Sequence, residues 1–248
     1  EVFEAVVYSD TQWQLNDLPY VVTGDVYVHY QSYNNATATL TIDPGVEVRF
    51  EAGAGLIFGY SSTSRRHHYG ALSAQGTSTD PIVFTSHAAV PSPGDWKGIY
   101  FRNATNDGLT FLDHVTVEYG GDTNDANIYC ASSSPTIKNS TVSHSSANGI
   151  YMTGSSNPVI GGEDAGNTIS NNGTYGICSD ASSPFPTITH NTLSENGSYA
   201  MRLRPRMSDV SDNTGAGNGT DGIEVFEAVV YSDTQWQLND LPYVVTGD

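Results

Sequence analysis

Cysteine, lysine and long apolar runs are all scarce in this chain of 248 residues. The two cysteines, Cys130 and Cys178, are too few for a disulfide framework. Lysine occurs only at Lys97 and Lys138, and 9 Lys plus Arg face 27 Asp plus Glu, a formal net charge of -18. So few cations argue against nucleic acid and against anionic membrane surfaces, whose phosphates this chain repels. No run approaches the roughly 18 apolar residues of a membrane-crossing helix. No signal peptide opens the chain, and in an internal window of a longer array none is expected. Helical signals are missing too, because no dozen consecutive residues place apolar side chains at helical spacing. The balance fits a secreted or cell-surface protein.

Small polar residues and tyrosine are abundant instead. Short β-branched runs recur, among them Tyr20-Val21-Val22, Leu40-Thr41-Ile42, Val46 to Phe50, Ile82-Val83-Phe84 and Val115-Thr116-Val117. Gly, Pro, Asn or Asp separates them, which reads as an all-β chain.

Two repeats organise the sequence. The longer is exact: Glu1 to Asp25 returns unchanged as Glu224 to Asp248, an offset of 223 residues. This predicts one unit, residues 1–223, followed by the start of the next identical unit, residues 224–248, in a tandem array. The shorter repeat lies inside the unit. Asn172-Gly173 returns at Asn196-Gly197 and Asn218-Gly219, with Asn148-Gly149 upstream. Pro135-Thr136-Ile137 returns at Pro158 and Pro186, and Thr141-Val142-Ser143 at Thr168 and Thr192. The markers step together by about 22 to 28 residues, the length of a solenoid coil of three short strands and their turns. Stacked at roughly 4.8 Å, nine or ten such coils make a rod near 45 Å long. Ile128, Ile150, Ile177, Met201 and Ile223 are expected in one inward column, and Val142, Ile169 and Leu193 in another. The stretches from Tyr60 to Tyr69 and Ala88 to Gly94 read as loops ejected from coils. Cys130 is expected inward beneath Met152 and Cys178 outward. At two coils apart, roughly 9 to 10 Å, they lie beyond the reach of about 7 Å that a disulfide allows.

The stretches TLTIDPGVEVRFEAGAGLIFG (Thr39 to Gly59), GALSAQGTSTDPIVFTS (Gly70 to Ser86), GDWKGIYF (Gly94 to Phe101) and LDHVTVEYGG (Leu112 to Gly121) resemble right-handed parallel β-helix repeat proteins of bacterial and archaeal cell surfaces. The resemblance runs from about Pro19 to Ile223 and implies a right-handed parallel β-helix. The same superfold carries pectate lyases and polygalacturonases, so it does not choose a function.

Catalysis on this fold needs carboxylates converging on one outward face. No Asn-Thr-Asp, Asp-Asp or Gly-His-Gly element of the polygalacturonase kind is present. No catalytic residues are therefore assigned, and the chain is read as a non-enzyme. Arg202, Arg204 and Arg206 alternate along one strand and share a face. They hold three of the nine basic residues and suit either local neutralisation or docking of an acidic subunit or anionic glycan. In the repeated segment, Val2, Phe3 and Trp13, with Phe226 and Trp236 in the second copy, are candidate interface residues between copies of the chain. Asp122, Asn124 and Asp125 offer hard oxygen ligands on a turn, a candidate calcium site or simply solvated turn residues. His67-His68 beside Arg65-Arg66 is a weak metal pattern and reads as a contact surface.

Six glycosylation sequons start at Asn35, Asn103, Asn139, Asn172, Asn196 and Asn218. The last three recur once per coil, and the favoured reading is of stacked turn asparagines in left-handed backbone. Outward tyrosines at Tyr100, Tyr119, Tyr129 and Tyr151 suit sugar stacking or mutual packing, with Tyr129 and Tyr151 expected to touch. The expected role is a structural repeat of a surface or filament-forming protein. A glycan-binding adhesin module, then a polysaccharide lyase or hydrolase, are the alternatives.

Overall fold

The computed structural model describes residues 1–3, 5–31, 36–61, 67–123, 125–181, 186–207, 209–226 and 233–247. The chain winds through three sheets in turn, as in Val115–Glu118, Ala126–Ala131 and Thr136–Lys138, then Thr141–Ser143, Asn148–Thr153 and Val159–Gly161. Each strand pairs in parallel with its counterpart in the next coil, giving sheets of ten, eight and nine strands. The ninth strand of the last sheet, Tyr60–Ser61, stands off the parallel path and pairs antiparallel with His67–Gln75. A hairpin thus stands at the ends of the stretch read as an ejected loop, whose residues 62–66, with Arg65 and Arg66, lie outside the described residues. The only helical turn among the described residues is the three-residue 3-10 turn Asp107–Leu109. This is the right-handed parallel β-helix that the resemblance implies, built from the three-strand coils that the short period predicts, with the hand that parallel crossovers take.

Strict alternation along each short strand sends every second side chain inward. Ile128, Ile150, Ile177, Met201 and Ile223 stack in register as one column. It continues upstream through Ile99, Leu56 and Val26. A second column runs Val117, Val142, Ile169, Leu193. These side chains are buried along the whole rod, each aliphatic residue removing its surface from water against a like neighbour. The early coils enclose aromatics instead, with Phe50 stacked on Trp96 at 4.0 Å.

The corners are closed by buried asparagines. In one file, Asn167 Nδ2 donates to Asn191 Oδ1, Asn191 to Asn213 and Asn213 to Asn239, each at 2.9 Å. In a second file, Asn172 donates to Asn196 at 2.9 Å and Asn196 to Asn218 at 2.8 Å. Each side-chain oxygen also accepts the backbone N–H of the preceding asparagine, and each amide group also reaches a strand carbonyl, such as Val142 O or Ile169 O. The ladders thereby satisfy the backbone groups that a tight corner leaves unpaired. The left-handed residues are not these asparagines. They precede them, at Asn171, Glu195 and Gly217.

Cys130 sits inward beside Met152 as expected. Cys178 faces outward as expected. It occupies the outward column between Tyr151 and Arg202 yet is buried. The Arg202 guanidinium lies over it, with Nη1 at 3.8 Å from Sγ. Burial pushes the Cys178 thiol up to about 12, and both cysteines are free.

Candidate functional site

The two copies of the terminal segment sit at opposite ends of the rod. At the start, Val2 pairs with Val22. At the end, Val225 pairs with Val245 in the same register, and the pairing extends from Ile223↔Tyr243 to Phe226↔Thr246. The same local structure recurs in its side chains. Trp13 stacks on Tyr20 at 5.1 Å, and Trp236 on Tyr243 at 5.2 Å. Asn16 donates to Gln14 O and Tyr20 Oη, and Asn239 donates to Gln237 O and Tyr243 Oη.

What differs is which side is covered. The second copy lies on the last coil of the unit as a further coil. Asn239 receives the Asn213 amide, and Asp240 N donates to Asn213 O at 3.1 Å. Ile223 N donates to Pro242 O at 2.8 Å, and Trp236 Nε1 to Pro205 O at 3.0 Å. Leu241 is accordingly 2 % exposed, whereas its equivalent Leu18 is 77 % exposed. The reverse holds on the other side. Val22 is 0 % exposed beneath the following coil, whereas Val245 is 66 % exposed. Each copy shows as covered the side that the other leaves open.

The arginine strip belongs to this junction. Arg202 lies between the Asp180 carboxylate, which it bonds directly, and Glu224 Oε2 at 3.6 Å. Its guanidinium stands 3.7 Å over the Phe226 ring, and that of Arg204 stands 5.2 Å from the same ring. Arg206 continues the alternation, part-buried, beyond the strand Tyr199–Leu203. The positions aligned with Arg202 in the two preceding coils, Cys178 and Tyr151, carry neither acid. Asp180 lies two residues beyond the paired position, and Glu224 is the first residue of the second copy. Of the candidate interface residues, Phe226 thus lies under Arg202 and Arg204. Its counterpart Phe3 is exposed at the other end, while Val2 is partly buried against the core. Trp13 is buried against Tyr20.

The remaining candidates are dispersed. Asp122 and Asp125 are exposed, and Asn124 lies outside the described residues. Among the described residues, no group of three His, Cys, Asp or Glu side chains comes together as a metal set. His68 is buried, with Nδ1 2.7 Å from Tyr30 O. Asn35 lies outside the described residues, and Asn103 is exposed. Asn139, in left-handed backbone, donates to Asp113 Oδ1 at 2.8 Å. Asn172, Asn196 and Asn218 fail as glycan acceptors in the folded chain, because their amides are buried and bonded within the ladder. Tyr100, Tyr129 and Tyr151 pack edge to face at 4.8 and 5.2 Å, and Tyr119 stacks on His144. Arg102 faces the Tyr27 and Tyr100 rings. A surface hollow holds Glu51, His87 and Asp95, but Asp95 Oδ2 already accepts from Ser86 Oγ and Ser92 N.

Two family models match the chain. The right handed beta helix region covers residues 94–229, and the pectate-lyase like beta helix domain covers residues 7–131. Comparison with curated proteins and with solved structures gives no match. Stacked parallel strands, ladders at the corners and a family match over more than half its length lead to one assignment: the chain belongs to the right-handed β-helix family.

Proposed function

We propose that this chain is a structural repeat of an extracellular surface or filament-forming protein, and that units assemble end to end through the repeated terminal segment. One observation carries the reading: a second copy of the segment lies on the last coil of the unit as though it were the next coil. Open solenoid ends expose unpaired strand edges and normally need a cap. Here the start of an identical unit supplies it. The acidic, cysteine-poor composition supports a structural role outside the cell. Electron microscopy of the native material tests the reading. Fibres or sheets with an axial repeat near the length of one unit support it, and dispersed single particles contradict it.

A glycan-binding module is the second reading, favoured by the half-buried tyrosine column Tyr100, Tyr129 and Tyr151 with Arg102 at its edge. Rings packed edge to face offer little open face for a sugar, which ranks it lower. Polysaccharide cleavage remains the activity associated with the pectate-lyase like domain. Turnover of an acidic polysaccharide by the purified chain would overturn the non-catalytic reading.

A further inference from the structure

We propose that the outward column Tyr100, Tyr129 and Tyr151 is a one-electron relay that ends at Tyr151, where the Asp180 carboxylate takes the phenol proton as the electron leaves. The side of the rod then quenches one-electron oxidants stronger than a neutral phenol. This activity does not depend on the end-to-end reading.

Register builds the column. Tyr100 pairs with Tyr129 and Tyr129 with Tyr151 on successive coils, so all three side chains leave one face of the ten-stranded sheet. Their rings meet edge to face, with centroids 4.8 and 5.2 Å apart and interplanar angles of 89 and 85°. Those are contact distances for aromatic pairs, so no solvent layer separates one ring from the next. All three are half-buried, which leaves the rim of the column open to solvent.

The two ends differ in charge. At one end the Arg102 guanidinium lies 5.1 Å from the Tyr100 centroid, and a cation there disfavours the positive charge left by a departing electron. In the middle, Thr153 Oγ1 donates to Tyr129 Oη at 3.4 Å. At the other end Tyr151 Oη donates to Asp180 Oδ2 at 2.8 Å. Arg202 bonds Oδ1 of the same carboxylate and so turns Oδ2 toward the phenol. The charge of Arg202 is itself matched by Asp180 and Glu224. A phenol stripped of an electron is a strong acid, and a carboxylate already hydrogen-bonded to it takes the proton. The step balances. One electron passes to the oxidant, the Tyr151 O–H bond breaks, and an O–H bond forms at Asp180 Oδ2. Burial, then the Asp180 hydrogen bond, holds the resting Tyr151 proton well above the usual phenol range. The side chain therefore stays a neutral phenol until the electron leaves. An electron lost from Tyr100 or Tyr129 is replaced from Tyr151, the one ring of the three that donates its proton to a carboxylate.

Tyr27 is the competing arrangement. It donates to Asp25 Oδ2 at 3.3 Å, but Lys97 Nζ bonds both oxygens of that carboxylate. Ile57 also separates Tyr27 from Tyr100 in the column.

The test illuminates the full chain with tris(bipyridine)ruthenium(II) and persulfate, so that the trivalent ruthenium complex is the oxidant. Freeze-quenched electron paramagnetic resonance detects the radical, and spin trapping with peptide mapping locates it. The expected site is Tyr151, although Tyr8 and Tyr60 are more exposed, at 42 % and 43 %. Formation of the radical in the unmodified chain should show a solvent deuterium isotope effect, a readout that needs no variant. Asp180→Asn keeps an acceptor but not a base, and should slow oxidation of Tyr151 about 100-fold, as loss of a positioned proton acceptor does. Asp180→Glu should restore part of the rate. Tyr129→Phe should strand the radical at Tyr100. Radicals distributed by exposure, with Tyr8 and Tyr60 foremost, overturn the proposal. An unchanged rate in Asp180→Asn, or no isotope effect in the unmodified chain, overturns Asp180 as the proton acceptor. Undiminished oxidation of Tyr151 in Tyr129→Phe overturns the relay.

Discussion

Asn191 shows what one side chain does in this fold. Its oxygen accepts from Asn167 N at 3.1 Å and Nδ2 at 2.9 Å, and its amide donates to Ile160 O, Thr189 O and Asn213 Oδ1. Asn191→Ala removes one rung and leaves the buried Asn167 donors without an acceptor, at about 2 to 3 kcal/mol. Thermal unfolding should fall by roughly 5 to 10 °C for a chain of this size. Ser179 is the opposite case. Its hydroxyl is buried with no hydrogen-bond partner, beside Met152 in an inward column. Ser179→Ala should therefore raise stability by about 1 kcal/mol in denaturant unfolding, as removal of an unsatisfied polar group does. Asp107 gives a pH dependence. Burial raises its carboxyl above the usual carboxylate range, against the opposing hydrogen bond from Ser134 N. A raised acid contributes stability below its unfolded value and loses it as pH rises through its folded value. Asp107→Asn keeps the acceptor for Ser134, so the melting temperature of the variant relative to the parent should rise from acid to neutral pH.

At the scale of strands and corners, packing tolerances are set by the coil spacing. Gly161 has φ of +87°, and a Cβ there would lie 2.0 Å from Thr189 O. Gly161→Ala strains the backbone and separates Val159–Gly161 from Thr187–Thr189, with an expected loss of at least about 2 kcal/mol in the same unfolding assay. The strand columns were legible in the sequence because alternation and period are one-dimensional: Ile150, Ile177 and Met201 carry their own register. The file of Asn167, Asn191 and Asn213 was equally periodic, since each precedes a threonine that opens a strand. It lacks the Asn-Gly turn signal that marks Asn172, Asn196 and Asn218. The burial of those three was not legible, because an asparagine at a corner reads as solvated until its neighbour one coil away is known. The burial of Cys178 was hidden for a similar reason. Alternation gives the direction of a side chain but not what lies across it, and Arg202 is one coil further on.

For the whole molecule, the exact repeat was the informative feature, and the arginine strip became intelligible only beside it. Arg202 and Arg204 face Phe226, and Arg202 also pairs with Glu224, both residues of the second copy. Neither pairing follows from strand alternation alone, because the two sequences meet only when coils stack. The junction does not simply continue each sheet. Tyr20–Val22 edges the eight-stranded sheet at the start of the rod, whereas its equivalent within Tyr243–Thr246 extends the ten-stranded sheet at the end. The pairing Val2↔Val22 is kept in both places as Val225↔Val245. The second copy therefore places this strand on another face of the rod while keeping the local contacts of the segment.

Residue-resolved amide exchange of the unmodified chain tests the stacked junction most directly. The amides of Asp212, Ile223 and Asp240 donate to Leu238 O, Pro242 O and Asn213 O across the junction. They should exchange slowly, at rates approaching those of Ile150 and Ile177 in the middle of the rod. Exchange of all three at the rate of an open chain, with the middle of the rod still protected, would mean that the second copy does not lie on the first unit.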